Sequence, residues 1–175
     1  RIEPILSSLM IRRMVKDVAN DLPDKIMITQ PIQMCDEEVD AYEQIRHSLQ
    51  GKSNVTLPML TKLRMFCTHP LLSEFCNDVD PFIKSVKYQR CCEILEEVFD
   101  KNEKAIVFTS YNEMFDIFCD DIPSRFGVKI RIINGSTNGD ERQKIVDWFN
   151  SLDEKALLVL NPRAAGTGLN ITGAN

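Results

Sequence analysis

Three short polar segments carry the residue types that could do chemistry. They are Thr109-Ser110-Tyr111-Asn112, Asn134-Gly135-Ser136-Thr137, and the longer Asn161-Pro162-Arg163-Ala164-Ala165-Gly166-Thr167-Gly168-Leu169-Asn170. Hydroxyls placed where a helix starts join backbone amides that favour an anion. Glycines allow close backbone approach, and successive amides in a turn form an anion-binding concavity. With one arginine added, the chemistry suits a polyanion, either a nucleotide phosphate or a nucleic-acid backbone. Taken singly, each segment could equally be an ordinary turn. Their common setting, each just after a short apolar run, is the stronger signal.

The elements that must position them are read from hydrophobic period. Beyond about residue 84, Tyr88, Cys91, Cys92, Leu95, Val98 and Phe99 predict a helix, residues 105–109 a strand, and Met114, Phe115, Phe118 and Ile122 a second helix. A strand follows at 128–133, a helix at 140–150 with Ile145, Trp148 and Phe149 inward, and a strand at 156–160. Strand, helix, strand, helix, strand implies an α/β fold with a parallel sheet covered on both faces. Ligands of such sheets bind at the loops after the carboxyl ends of strands, which is where the three polar segments fall.

Residues 1–83 read as mostly helical. Ile5, Leu6, Leu9, Met10, Met14 and Val18 predict an amphipathic helix, and the alternation of Ile26, Ile28, Ile32 and Met34 predicts a strand, at an edge or bulge because of Pro31. Asp36 is the expected N-cap of a helix with Val39, Tyr42, Ile45 and Leu49 inward, ended by Gly51. After a loop at 52–56, Pro58 opens a helix with Met59, Leu60, Leu63 and Phe66 inward and Pro70 as terminator. The expected internal boundary is at 77–81, separating a region 1–83 from a region 84–175.

Other patterns imitate chemistry. Gly51-Lys52-Ser53 ends like a phosphate-binding P-loop, but position 46 is Arg46 and a helix precedes it. Met34-Cys35-Asp36-Glu37 resembles a strand ending in an acidic pair, in the wrong order relative to that lysine. Cys67, His69, Cys76, Cys91 and Cys92 lack the C-x-x-C spacing of a zinc site, and two histidines without a nucleophile elbow support no hydrolytic triad. Lys+Arg 21 against Asp+Glu 26 leaves a net charge of −5, so grip on nucleic acid through bulk charge is not expected. No apolar run approaches the roughly 20 residues of a spanning helix, so no membrane partner is expected. Six cysteines without regular spacing, and no leader pattern, predict reduced thiols and an intracellular protein.

The polar segments, in order, resemble motif IV, the following Gly-Ser-Thr element and motif V of Swi/Snf-type helicase-like ATPases, in the second of their two RecA-like lobes. Lys104-Ala105-Ile106-Val107-Phe108-Thr109-Ser110-Tyr111 is similar to motif IV. Asn134 to Thr137, then Arg142 and Trp148-Phe149-Asn150, resembles the family's Gly-Ser-Thr, Arg, Phe-Asn stretch, and Arg163 to Thr172 resembles motif V. Upstream, Met10-Ile11-Arg12-Arg13 through Pro23-Asp24-Lys25 resembles the lead-in to this lobe, and Leu63-Arg64 to Cys67-Thr68-His69-Pro70 its Leu-Arg to Cys-x-His-Pro helix end. The likeness runs over nearly the whole chain.

The resemblance implies an incomplete RecA-like sheet with an N-terminal, mostly helical insertion, part of a motor coupling ATP hydrolysis to translocation on double-stranded DNA. It implies DNA contacts at Ser110, Tyr111, Gly135, Ser136 and Arg163, and ATP contacts at Gly166, Gly168 and Asn170. Arg142 either bears on function or braces the lobe through a salt bridge, and Arg12 and Arg13 would pack within the lobe. Asn161-Pro162 stands where the family usually has Ser-Thr, and Ala165 replaces a common glycine. The P-loop lysine and the acidic pair for Mg belong to the first lobe, expected before Arg1, and the arginine finger to motif VI, expected after Asn175. The 175 residues are therefore expected to be a piece with no catalytic residue and no ATPase of its own, partnered by that first lobe and by DNA. Alternatives are a degenerate lobe used as an interaction scaffold, or a lobe of a restriction-type or RNA helicase. The Asn-Pro-Arg-Ala-Ala form leans to a bacterial, cytoplasmic protein. A eukaryotic one would be nuclear.

Overall fold

The computed structural model describes residues 26–50, 57–73, 85–165 and 168–174. The chain divides into a unit Arg1–Pro31 and a unit Ile32–Asn175. Of the first, the described residues 26–31 carry no regular structure, and Ile26 is 83% exposed. The strand expected from Ile26 to Met34 does not form, since residues 26–35 are neither helix nor strand. Alternation only makes a strand when a partner edge accepts its ladder, and Pro31 removes one donor. The expected first helix, the loop at 52–56 with Gly51-Lys52-Ser53, and the boundary at 77–81 lie outside the described residues.

In the second unit, α1 spans Asp36–Gln50 and α2 Leu57–Thr68, followed by a 3-10 turn at Pro70–Leu72. Cys35, not Asp36, takes the N-cap position of α1: its carbonyl accepts from Val39 at 2.9 Å while its own N–H donates to Glu38 Oε2 at 3.2 Å. That reciprocal use of a glutamate three residues on is one half of a capping box. The inward stripe of α1 runs Glu38, Tyr42, Ile45, and that of α2 runs Met59, Leu63, Phe66, each at i, i+4, i+7, with Tyr42 and Leu63 half-buried and the others buried. Val39 and Leu60, expected inward, lie about one residue's rotation off these stripes and are exposed. His69, 1% exposed, caps the 3-10 turn by accepting the Leu71 N–H on Nδ1 and packs edge-on against Tyr88.

The remainder alternates. Helix α3 is Val86–Asp100, β1 Ala105–Phe108, α4 Glu113–Phe126, β2 Lys129–Ile133, α5 Gly139–Ser151, β3 Ala156–Leu160, and α6 a single turn at Pro162–Ala165. The three strands are parallel in the order β1-β3-β2. The strand last in sequence is thus central, and all five of its residues are buried. Val107, Leu157 and Val159 face a core built with Tyr88, Leu95 and Phe99 of α3 and Phe115, Phe118 and Ile122 of α4. Ile106, Leu158 and Leu160 face the opposite core with Val146 and Phe149 of α5. Ser85 caps α3 through its hydroxyl to Tyr88 N–H, and Gly127, at φ 62°, supplies the left-handed residue that ends α4.

Candidate functional site

Because the strands are parallel, their carboxyl ends share one edge of the sheet. The ladder runs one residue past the strands, with Thr109 N–H donating to the Leu160 carbonyl at 3.0 Å and Asn161 N–H to the Ile133 carbonyl at 2.9 Å. The loops after β1, β2 and β3 therefore leave the sheet side by side.

Ser110 is exposed and Tyr111 half-buried, with the Tyr111 N–H reaching Thr109 Oγ1 at 3.4 Å. After β2, Asn134 organises the turn. Its Oδ1 accepts from the Ser136 amide at 3.0 Å and the Ser136 hydroxyl at 2.7 Å, and its N–H donates to Thr137 Oγ1 at 3.1 Å. Gly135 and Ser136 stay exposed on this frame, while Thr137 is buried. Asparagine followed by a small residue and a hydroxyl is the sequence signature of such a turn, so this role of Asn134 was there to be found.

After β3, the expected loop opens instead with helical turn α6. Asn161 starts it, with Oδ1 accepting the Arg163 N–H at 2.9 Å and its carbonyl accepting from Ala164 and Ala165, and Pro162 sits at the first position, where no amide bond is lost. Arg163 is exposed. Gly168 is exposed at φ 84°, a conformation that favours glycine, and Asn170 is exposed nearby in sequence. Gly166 lies outside the described residues.

Arg142 on α5 ties two of these loops. Its Nε donates to the Thr137 carbonyl at 2.8 Å and its Nη1 to the Ala164 carbonyl at 3.0 Å. The bracing role therefore uses two backbone carbonyls rather than the salt bridge expected from sequence. A fork of fixed donors suits two carbonyls on different loops. Asn150 holds the far end of the third loop, donating from Nδ2 to the Asn170 carbonyl and accepting the Thr172 and Gly173 amides on Oδ1, at 2.9–3.0 Å. Lys104 adds bonds to the Phe149 and Leu152 carbonyls.

A cavity of about 480 Å³ opens at the end of β1, and Ser110 and Tyr111 are among its walls. Gly135, Ser136, Arg163, Gly168 and Asn170 are not. Among the described residues no group of three or more His, Cys, Asp or Glu side chains converges to hold a metal ion. The five described cysteines are free thiols. Burial pushes the Cys91 thiol up to about 11 and raises Cys67, Cys92 and Cys119, which suits packing rather than nucleophilic chemistry. What the edge can do is present amides, hydroxyls and one arginine to a row of anionic oxygens. No helix among the described residues is long and apolar enough to cross a membrane.

Comparison with known proteins bears on this edge. Residues 86–175 match the family described as the helicase conserved C-terminal domain. A Bacillus subtilis protein, named provisionally as an ATP-dependent helicase/translocase, is 29% identical over all of this chain, which spans 20% of that relative. The chromatin structure-remodeling complex subunit snf21 of Schizosaccharomyces pombe is 28% identical, again over the whole chain and 16% of the relative. Among solved structures, the SWI2/SNF2 ATPase core of Sulfolobus solfataricus in complex with double-stranded DNA superposes with a TM-score of 0.72 and 26% identity, over 99% of this chain and 39% of that one.

Proposed function

The chain belongs to the helicase conserved C-terminal domain family, as a RecA-like second lobe of the Swi/Snf type, and on that basis we propose that it is the DNA-gripping half of an ATP-dependent duplex DNA translocase. Ser110, Tyr111, Gly135, Ser136 and Arg163 contact backbone phosphates. Gly166, Gly168 and Asn170 face ATP, Asn170 on the ribose side. The observation that carries this reading is the single edge on which the three loops leave the sheet, the second and third of them cross-linked by Arg142. The neighbour's complex with double-stranded DNA supports the choice of partner.

The catalytic lysine, the Mg-binding acids and the arginine finger come from elsewhere in the motor, the first two from its other lobe. ATP is the substrate, and Mg supplies charge neutralisation on its phosphates when bound there. The five described free thiols favour a reducing compartment, so an intracellular location belongs to the proposal.

Fluorescence anisotropy with short duplex DNA tests the reading. The expected affinity at physiological salt is that of non-specific contacts, about 10⁻⁴ to 10⁻⁶ M, weakening steeply with salt. Arg163→Ala should weaken it further and lower the salt dependence by about one counterion. Absence of salt-dependent binding even at low salt would overturn the proposal. The isolated chain should show no ATPase, and DNA-stimulated turnover abolished by Arg163→Ala would contradict that division of labour.

A further inference from the structure

The cavity at the end of β1 has a charge character opposite to that of the chain. The sequence carries 26 acidic against 21 basic side chains, yet the described residues lining the cavity include Arg64 and Lys87 and neither Asp nor Glu. Both cations are exposed. Ser110, on the loop already assigned to DNA, lines the same space, and the floor is apolar, with Val107, Met114 and Phe118. The Glu38 carboxylate, which also acts on Cys67, lines an adjoining, smaller cavity of about 120 Å³ that shares Cys67 and Lys87 with the larger one, and it is bound by the Cys35 and Val86 amides. Lys87 Nζ donates to the Cys67 carbonyl of α2 at 3.4 Å, and its charge opposes the burial-driven rise of the Cys67 thiol and of Cys91 one turn along its own helix. An apolar floor strengthens attraction between these cations and an anion that displaces water from the mouth.

We infer that Arg64 and Lys87 form, with Ser110, an additional binding site for a phosphate of the duplex DNA backbone. This rests on the assignment of Ser110 to DNA and extends the footprint from the sheet edge onto helices α2 and α3. Two elements outside the α/β sheet thereby become part of the grip. Neither contact reads bases, so the site adds affinity and register without sequence preference.

Duplex DNA titrations of the chain over a salt series test it, with Lys87→Gln, the Arg64→Gln/Lys87→Gln pair, Lys87→Arg and Arg163→Ala. The expected result is a salt slope lower by about 1 for the pair and by part of that for Lys87→Gln, with several-fold weaker binding and near-normal behaviour of Lys87→Arg. Wild-type slope in the paired variant, beside a reduced slope in Arg163→Ala, would overturn this site while leaving the loop contacts standing. A loss in Lys87→Arg equal to that in Lys87→Gln would overturn it too, since charge would not be the cause. Absence of DNA binding by the wild type would remove both this inference and the reading beneath it.

Discussion

Arg142 donates from Nη1 to the carbonyl of Ala164 at 3.0 Å, a bond between α5 and the turn that carries Arg163. The same guanidinium holds Thr137 at 2.8 Å, so one side chain sets the spacing of two proposed phosphate-binding loops. Lysine keeps the charge but lacks the fork. Arg142→Lys should therefore weaken duplex DNA binding almost as much as Arg142→Ala, with a stability loss of about 1–3 kcal/mol in either, read by urea denaturation. Full DNA affinity in the lysine variant would mean that charge, not positioning, is what Arg142 supplies.

Asn150 and Gly173 make a second fixed point. A Cβ on Gly173 would lie 3.0 Å from Asn150 Cα, Asn150 Oδ1 and Lys104 Nζ, so adding a side chain makes these neighbours or the local backbone give by a few tenths of an ångström. Gly173→Ala should cost about 1–3 kcal/mol, as overpacking does. Asn150→Ala should speed hydrogen exchange at the Thr172 and Gly173 amides, which lose their shared acceptor. Unchanged protection of both amides would refute the clamp.

Glu38 joins two helices. Its Oε2 accepts from Cys35 at the start of α1 and its Oε1 from Val86 at the start of α3, and the side chain is buried. A carboxylate between two helix N-termini is favoured by both dipoles. Glu38→Ala leaves the Val86 amide without this acceptor, and a loss of about 1–3 kcal/mol is expected in chemical denaturation. Glu38→Gln, which keeps acceptor capacity without charge, should lie between the two.

Stability should fall at alkaline pH. Burial holds the folded Cys91 thiol at about 11, above the roughly 8.5 of a free thiol, so the folded chain binds its proton more tightly than the unfolded chain. The contribution is complete below about 8.5 and is lost as pH rises toward about 11. Burial and Asp121 raise the Tyr88 hydroxyl as well, with the same sign at higher pH. Urea midpoints at rising pH should decline, and Cys91→Ala should flatten part of the decline. A midpoint that rises with pH in this window would contradict the assignment.

Periodicity alone carried the alternating half of the molecule a long way. The apolar run 156–160 is a strand with all five residues buried, because it is the central strand of a parallel sheet covered on both faces. Helices α3 and α4 contain the apolar stripes expected for them, and α5, expected at 140–150, spans Gly139–Ser151. Within α5, Val146 is fully buried whereas Trp148, expected inward, is only partly so and stacks beneath Arg131. A helix lying on a sheet selects a face by contact geometry as well as by hydrophobicity. The three polar segments were legible for the same reason as the strands they follow.

Relations between elements distant in sequence were not legible. Strand order β1-β3-β2, the merging of Arg64, Lys87 and Ser110 around one cavity, and the two carbonyls on Arg142 each depend on segments meeting after long connections. The alternation at 26–34 shows the converse, a strand pattern that forms no strand in the absence of a paired edge. Local pattern sets which face of each element seeks burial, since that follows from bond geometry and solvation within a few residues. Which faces and loops then meet is decided by packing and hydrogen bonding across the whole unit. The proposed grip on DNA lives at that second level.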